Sequence, residues 1–369
     1  MSTNIIRISP TKVIKGEKAW SNSKKIIQGI CKTPLIVGRS LKTKNIRDTL
    51  KNDLIDLGIN PLSFELKHDC CELDIQKAYT FSKNNNCDGI IAAGGGKVLD
   101  AGKLIADLLS IKCITVPLSA STCAGWTALS NIYSPEGNFI KDVSLKRCPD
   151  LLIFDHSIVR RAPSRTLASG IADAVAKWYE SSLTSNASKD GFVQQAVQMA
   201  RVLRDQLFLN GYKAFKDPHS NSWEIVAEGC ALTAGIIGGL GGARCRTAAA
   251  HPIHNGLTQL AFKNKPLHGE LVGFGLLVQL HIEEINSNSQ LPKQAKSQLS
   301  DFLLKLNLPT SIESICLNDT SSIKLQKACK FACKDGSDIH KLPFKINEKD
   351  LLEAIQSYQS LSVSSTIKL

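Results

Sequence analysis

Over its first 160 or so residues the chain alternates short apolar runs with stretches of helical periodicity, and few architectures accommodate that rhythm. The runs Pro34-Leu35-Ile36-Val37, Gly89-Ile90-Ile91-Ala92, Cys113-Ile114-Thr115-Val116 and Leu151-Leu152-Ile153-Phe154 are separated by segments such as Leu73 to Phe81 and Val98 to Leu109, where apolar residues recur at helical spacing. Strands that cross over through helices lie parallel, so the pattern predicts an α/β domain with a largely parallel sheet. After Pro163 the pattern changes. Ser164 suits an N-cap, and Leu167, Ile171, Ala174, Val175 and Trp178 follow at three- and four-residue steps. The expected organisation is an α/β domain over residues 1–160 and a helical domain over 161–369, consistent with a chain too long for one core of ordinary size.

Gly94-Gly95-Gly96-Lys97-Val98-Leu99-Asp100 follows one predicted strand directly and opens a predicted helix. Glycines without Cβ let backbone amides approach a pyrophosphate, and a helix amino terminus supplies uncancelled N–H groups. The run is neither a GxGxxG fingerprint nor a Walker A loop, because Val98 follows Lys97. A second strand-end loop, from Pro117 to Ser130, is rich in small hydroxyl residues. Ligands of open α/β sheets usually lie at such loops.

In the helical half, Asp173 stands inside an otherwise apolar helix, and His251 and His268 stand in similarly small, apolar segments. One histidine in such a place is more often a hydrogen-bonded core residue. Two histidines and an aspartate together form a three-ligand site for Zn²⁺ or Fe²⁺, with a coordination position left for substrate.

Composition excludes several other classes. The net charge of +12 comes from lysines scattered along the chain, and aromatic residues are only 6%. With no recognition-helix or RNA-binding motif, nucleic acid is not an expected partner. No apolar run in the linear sequence approaches the roughly 18 to 20 residues of a bilayer span. Residues 1–7 show no leader-like apolar stretch, so a cytoplasmic, membrane-free protein is expected. The 12 cysteines are dispersed without a CxxC pair, which argues against a disulfide framework. Cys329 and Cys333 can share a helix face but lack a second ligand pair for structural zinc.

Five segments taken in order, GGGKVLD (94–100), STCAGWTALSNIY (121–133), GIADAVAKWYE (170–180), AAAHPIHNG (248–256) and HGE (268–270), closely resemble the glycerol dehydrogenase branch of the iron-containing alcohol dehydrogenase superfamily. The resemblance implies a doubly wound nucleotide-binding domain, an all-α metal-binding domain and a divalent metal in the cleft between them. It further implies a nicotinamide cofactor, NAD or NADP, and a homo-oligomer. By motif position it makes Asp173, His251 and His268 the metal ligands and places His254 nearby, outside the ligand set. It assigns Gly94, Gly95, Gly96, Lys97 and Asp100 to the pyrophosphate and nicotinamide-ribose region, and Ser121, Thr127, Leu129 and Tyr133 to the nicotinamide side.

Three departures redirect the substrate. Glycerol dehydrogenases carry Asp where this chain has Cys123, a small residue near Arg246, and often an acid where Arg39 follows the first strand. The combination looks more like the hydroxycarboxylate dehydrogenase subgroup, which interconverts 2-oxo and 2-hydroxy acids. Arg246 or Lys177, one helical turn after Asp173, can then pair with a substrate carboxylate. Arg39 can pair with a ribose 2′-phosphate, favouring NADPH. The alternatives are a polyol dehydrogenase, a cyclase of the dehydroquinate synthase type, whose motif pattern the matched segments lack, and a catalytically silent nucleotide-binding protein, which the intact ligand triad disfavours.

Overall fold

The computed structural model describes residues 5–185, 188–287 and 289–366, with side chains up to residue 358. Residues 1–4, part of the stretch read for a leader, lie outside the described residues. The chain divides into two compact units, Met1–Pro163 with Ala231–Gly239, and Ser164–Cys230 with Leu240–Leu369.

The first unit alternates strands and helices in the order β1 (Lys12–Gly16), α1 (Ala19–Ile30), β2 (Pro34–Gly38), α2 (Lys44–Ile55), β3 (Leu62–Glu65), α3 (Glu72–Asn84), β4 (Gly89–Gly94), α4 (Gly96–Leu109) and β5 (Lys112–Pro117). An antiparallel hairpin follows, β6 (Leu129–Tyr133) and β7 (Phe139–Ser144), then β8 (Leu151–Asp155) and the short α5 (His156–Val159). Six strands form one parallel sheet ordered β1-β8-β5-β4-β2-β3.

Successive strand residues point to opposite faces, and both faces are covered. Leu35, Val37 and Ile90 pack with Ile75 and Ala78 of α3 and Ala101 and Ile105 of α4. Ile36, Ile91 and Ile114 pack with Trp20 and Ile27 of α1 and Leu50 and Leu54 of α2. The sheet is therefore doubly wound. From β2 the chain leaves by α2 to edge strand β3, whereas from neighbouring β4 it leaves by α4 across the other face to β5. The strand order reverses between β2 and β4, and the carboxyl ends of such a pair are where open α/β sheets bind ligands.

The four apolar runs identified in the sequence are β2, β4, β5 and β8. Strands β1 and β3 are not among them: they are the sheet's edges and are only partly buried, so their alternating polar residues dilute the apolar signal. Ala231–Gly239, which by position falls in the helical half, clusters with the first unit. Gly235 explains the close approach, because a Cβ there would lie 2.4 Å from the Trp126 ring.

The second unit contains α6 (Ser164–Thr184), α7 (Gly191–Lys216), α8 (Asn221–Glu228), most of whose continuation α9 (Ala234–Gly241) belongs to the first unit, α10 (Ala250–Leu257), α11 (His268–Asn286), α12 (Leu291–Lys305), α13 (Ser322–Ala332) and α14 (Glu348–Thr366). Helix α11 is buried without interruption from Gly269 to Ile282, and α6, α10, α12 and α14 pack around it. A helix buried on every side is the core of its unit. The stretch Asn221–Cys245 does reach the length and apolarity of a bilayer span, with 61% of its most apolar window buried inside the protein. Reading for long aliphatic runs overlooks it, because Ala, Gly, Cys and Thr break them.

Candidate functional site

Helix α6 carries Asp173, Lys177 and Glu180 at steps of four and three, hence on one face, and all three are buried. The amino terminus of α10 carries His251. Its first amides have no N-cap side chain. Ala248 N and His251 N donate instead to Glu180 Oε1 at 2.7 and 3.2 Å, and Ala249 N and Ala250 N donate to Gln279 Oε1 at 3.2 and 3.1 Å. Two fully buried side chains from α6 and α11 thus satisfy the donors that a helix start leaves unpaired, and this fixes His251 in place.

His268 opens α11, and the HGE run explains how it is held. Glu270 Oε2 accepts from Leu267 N at 2.7 Å, and the Arg165 guanidinium grips the same carboxylate with two bonds of 2.6 and 2.7 Å. Gly269 N donates to Ser169 Oγ at 3.0 Å, and a Cβ on Gly269 would lie 1.8 Å from the Ser169 carbonyl oxygen. Only glycine lets α11 approach α6 this closely.

Asp173, His251 and His268 converge so that one ligand atom of each lies within 4.8 Å of the others. Asp173 Oδ1 is 3.4 Å from His251 Nε2, 3.7 Å from His268 Nε2 and 3.9 Å from Lys177 Nζ. Although buried, that oxygen has no hydrogen-bond partner among the described residues. A buried carboxylate oxygen left in this state is costly unless a cation meets it. Burial pushes the Asp173 carboxyl up, but Lys177 and the imidazoles of His251 and His268 outweigh it and hold it well below the usual carboxylate range. Burial likewise pulls His251 down, yet Glu180 and Asp173 raise it to about 9 in spite of Lys177. The two carboxylates demand positive charge at this point, and the donor set of one oxygen and two nitrogens fits Zn²⁺ or Fe²⁺.

The remaining ring nitrogens are arranged to match. His251 Nδ1 lies 2.5 Å from Glu180 Oε2, so this nitrogen donates and Nε2 faces Asp173. His268 Nδ1 lies 3.0 Å from His254 Nε2, and His254 Nδ1 lies 2.8 Å from Asn255 Oδ1. With His268 Nε2 turned to Asp173, the Nδ1 proton is donated to His254, which donates onward to Asn255. Acceptors at the second ring nitrogen, a carboxylate for His251 and the His254 imidazole for His268, orient metal-binding imidazoles. Glu180 was not singled out in the sequence, although its i, i+4, i+7 relation to Lys177 and Asp173 in an apolar helix was the available signal.

A second cluster, His68, Cys71 and Asp74, is satisfied internally, since Asp74 accepts from His68 N at 2.6 Å and faces His68 Nδ1 at 3.3 Å. Burial raises the Cys329 and Cys333 thiols to about 12 and about 11, and among the described residues no third ligand joins them.

The first unit holds the cofactor candidates. Gly94 ends β4, Gly95 is extended and α4 begins at Gly96. A Cβ on Gly95 would meet nothing nearer than Ser119 Oγ at 4.0 Å. Neither packing nor backbone angle requires glycine here, so the space suits a group from outside the chain. Arg39, after β2, and Lys97, after β4, converge on the buried Asp69 carboxylate: Arg39 Nη1 donates to Oδ1, and Lys97 Nζ donates to Oδ2 at 2.6 Å while lying 4.4 Å above the Tyr133 ring. Two cations on one carboxylate leave net positive charge at the strand-order reversal. Ser121 Oγ is 3.1 Å from Ser119 Oγ, and Cys123 is partly exposed.

Asp100, Thr127, Leu129 and Tyr133 engage the interior. Asp100 is 4% exposed, pairs with Lys103 at 3.0 Å and accepts from Asn131 N. Carbonyls of Thr127 and Leu129 accept from Lys103, and Tyr133 N donates to Cys70 O. In the second unit, Lys177 joins the Asp173 group, whereas Arg246, just past the turn Gly242–Cys245, makes no side-chain hydrogen bond or ion pair among the described residues.

Residues 10–156 match the family model described as iron-containing alcohol dehydrogenase. An uncharacterised oxidoreductase of Synechocystis sp. is 43% identical over 95% of this chain and 90% of its own length. Hydroxycarboxylate dehydrogenase A of Escherichia coli is 29% identical over 79% of this chain and 80% of its own. The crystal structure of glycerol dehydrogenase from Schizosaccharomyces pombe superposes with a TM-score of 0.85 at 26% identity, covering 98% of this chain and 92% of that one.

Proposed function

Because the chain belongs to the iron-containing alcohol dehydrogenase superfamily, in its glycerol dehydrogenase-like branch, we propose that this oxidoreductase interconverts a small 2-hydroxy acid and its 2-oxo acid with a nicotinamide cofactor, preferring NADPH. The observation that carries the chemistry is the buried, unpartnered Asp173 Oδ1 facing two imidazole nitrogens. Asp173, His251 and His268 would hold the divalent cation. Such an ion supplies Lewis acidity to a hydroxyl or carbonyl oxygen, and the nicotinamide supplies the two-electron exchange.

The chain's own residues do the rest. Glu180 and Gln279 fix the start of α10, and Glu180 keeps the His251 proton on Nδ1. His254 accepts from His268 Nδ1 and keeps its Nε2 towards Asp173. Gly95 and the first amides of α4 receive the pyrophosphate, and Arg39 meets a 2′-phosphate with the donors that Asp69 does not use. Of the two cations considered for a substrate carboxylate, Lys177 is committed to Asp173, while the planar fork of Arg246 is not engaged within the described chain. Arg246 is therefore the assigned carboxylate partner. Cys123 brings no charge to oppose an anionic substrate.

Likeness to glycerol dehydrogenase supports a polyol as the second reading. Protein loaded with Zn²⁺ or Fe²⁺ and assayed with NADPH and NADH against 2-oxo acids, dihydroxyacetone and uncharged aldehydes separates the two. Faster 2-oxo acid reduction is expected; robust glycerol oxidation without it would replace the first reading by the second.

A further inference from the structure

Lys103 sits inside α4 and is 2% exposed. Its ammonium meets four acceptors: Asp100 Oδ1 at 3.0 Å, Thr127 O at 3.0 Å, Thr127 Oγ1 at 3.3 Å and Leu129 O. Asp100 extends the same junction, accepting from Asn131 N through Oδ2 at 3.2 Å and from Ser130 Oγ through its carbonyl at 2.9 Å. A lysine is almost never buried this completely unless its charge is met, and here every partner beyond its own helix lies in one short stretch, residues 127–129. Among the described residues the hairpin that follows forms no strand pairing with the main sheet; it is seated by apolar contacts of Ile132 and Tyr133 and by Tyr133 N donating to Cys70 O, and the Lys103 junction is the buried charged tie that joins its entry to α4.

We propose that Lys103, with Asp100, is a positioning residue for the nicotinamide end of the cofactor. It acts by fixing residues 127–131 to the helix whose amino terminus receives the pyrophosphate. The proposal rests on the reading of the first unit as the NAD(P) site. With the apolar contacts of Ile132 and Tyr133, this joint then sets the distance between the phosphate turn and the nicotinamide-side strand. Thr127 and Leu129 contribute through the course of their backbone, since the Thr127 hydroxyl and both carbonyls are turned to Lys103. The adenosine half, held near Arg39 and the glycine turn, is independent of the joint.

The test compares binding of NADPH with binding of 2′-phospho-ADP-ribose, which lacks only the nicotinamide ring, in the full chain. Lys103→Met removes the ammonium at similar volume, and the double variant Asp100→Asn/Lys103→Met avoids stranding a buried carboxylate if the single variant does not fold. The expected result is an NADPH Kd raised about 10-fold or more, with the Kd of the ring-less fragment changed less than about 2-fold, in protein that still melts cooperatively. Zn²⁺ affinity, set in the second unit, stays at the parent value. Equal weakening of both ligands, or no weakening of NADPH, overturns the positioning role. Failure of the parent protein to bind either NADPH or NADH overturns instead the cofactor reading on which the proposal stands.

Discussion

At the scale of single residues the site is governed by what burial does to charge. Asp173 and Glu180 are both carboxylates on one helix face, yet their tasks differ. Glu180 has each oxygen engaged by donors, whereas Asp173 keeps one oxygen unpartnered. Replacing Asp173 by Asn, or His251 or His268 by Ala, is expected to abolish both turnover and retention of Zn²⁺ against a chelator, because a three-ligand site has no spare donor. Glu180→Gln keeps an acceptor for Ala248 N but loses the charge behind His251, so Zn²⁺ affinity should fall about 10- to 100-fold in the same competition assay. Unchanged affinity would mean that Glu180 only supports the helix. For Arg246→Ala, kcat/KM on a 2-oxo acid should drop about 10- to 200-fold while an uncharged aldehyde is nearly unaffected. Lys177→Ala should lower both substrates alike, because its partner is Asp173. Equal losses from Arg246→Ala on the two substrates would remove it as the carboxylate partner.

At the scale of elements, helix starts and strand ends carry the function. The start of α11 depends on its contact with α6 at Gly269. Gly269→Ala places a methyl group 1.8 Å from the Ser169 carbonyl oxygen, which backbone on both sides cannot relieve, and should cost about 1 to 3 kcal/mol or more along with Zn²⁺ affinity. Gly191→Ala, at the start of α7 where nothing lies within 4 Å, is the matched control and should melt like the parent. After β2, Arg39 shares Asp69 with Lys97. Arg39→Ala should reduce kcat/KM with NADPH by about 10-fold and spare NADH, the loss of one charged hydrogen bond. A clear NADH preference unaltered by the substitution would show Arg39 to be a partner of Asp69 only.

At the scale of the whole molecule, stability should depend on pH through a carboxyl outside the candidate ligand set. Glu283 is a partly buried carboxylic acid on α11 that accepts from Gln279 Nε2 at 3.0 Å, and burial raises its pKa to about 7. Between its unfolded value near 4.5 and about 7 the native state holds a proton that the unfolded chain has released, so stability falls as pH rises through that window. Glu283→Gln removes this dependence while still accepting from Gln279. The variant should melt higher than the parent at pH 8 and equal it near pH 4. A parent and variant with parallel melting profiles across this range would show that the carboxyl titrates normally.

Much of this protein was determined by local pattern. Buried strands and helices announce themselves by period, so β2, β4, β5, β8, α3, α4 and α6 could be read directly, as could the glycine turn and the Asp173, His251 and His268 group, whose residue types stand out against apolar neighbours. The edge strands β1 and β3 were not legible, because half-exposed segments alternate like loops. What only tertiary structure decided is partnership. Glu180 meets His251 across 71 positions and Arg165 meets Glu270 across 105, separations at which spacing carries no information. The same holds for Asp100, Thr127 and Leu129: their sequence motifs mark a ligand site, but Lys103 draws polar atoms of all three inward. Periodicity reports which face of an element is apolar, whereas the partner of a buried charge is set by which elements pack against that face.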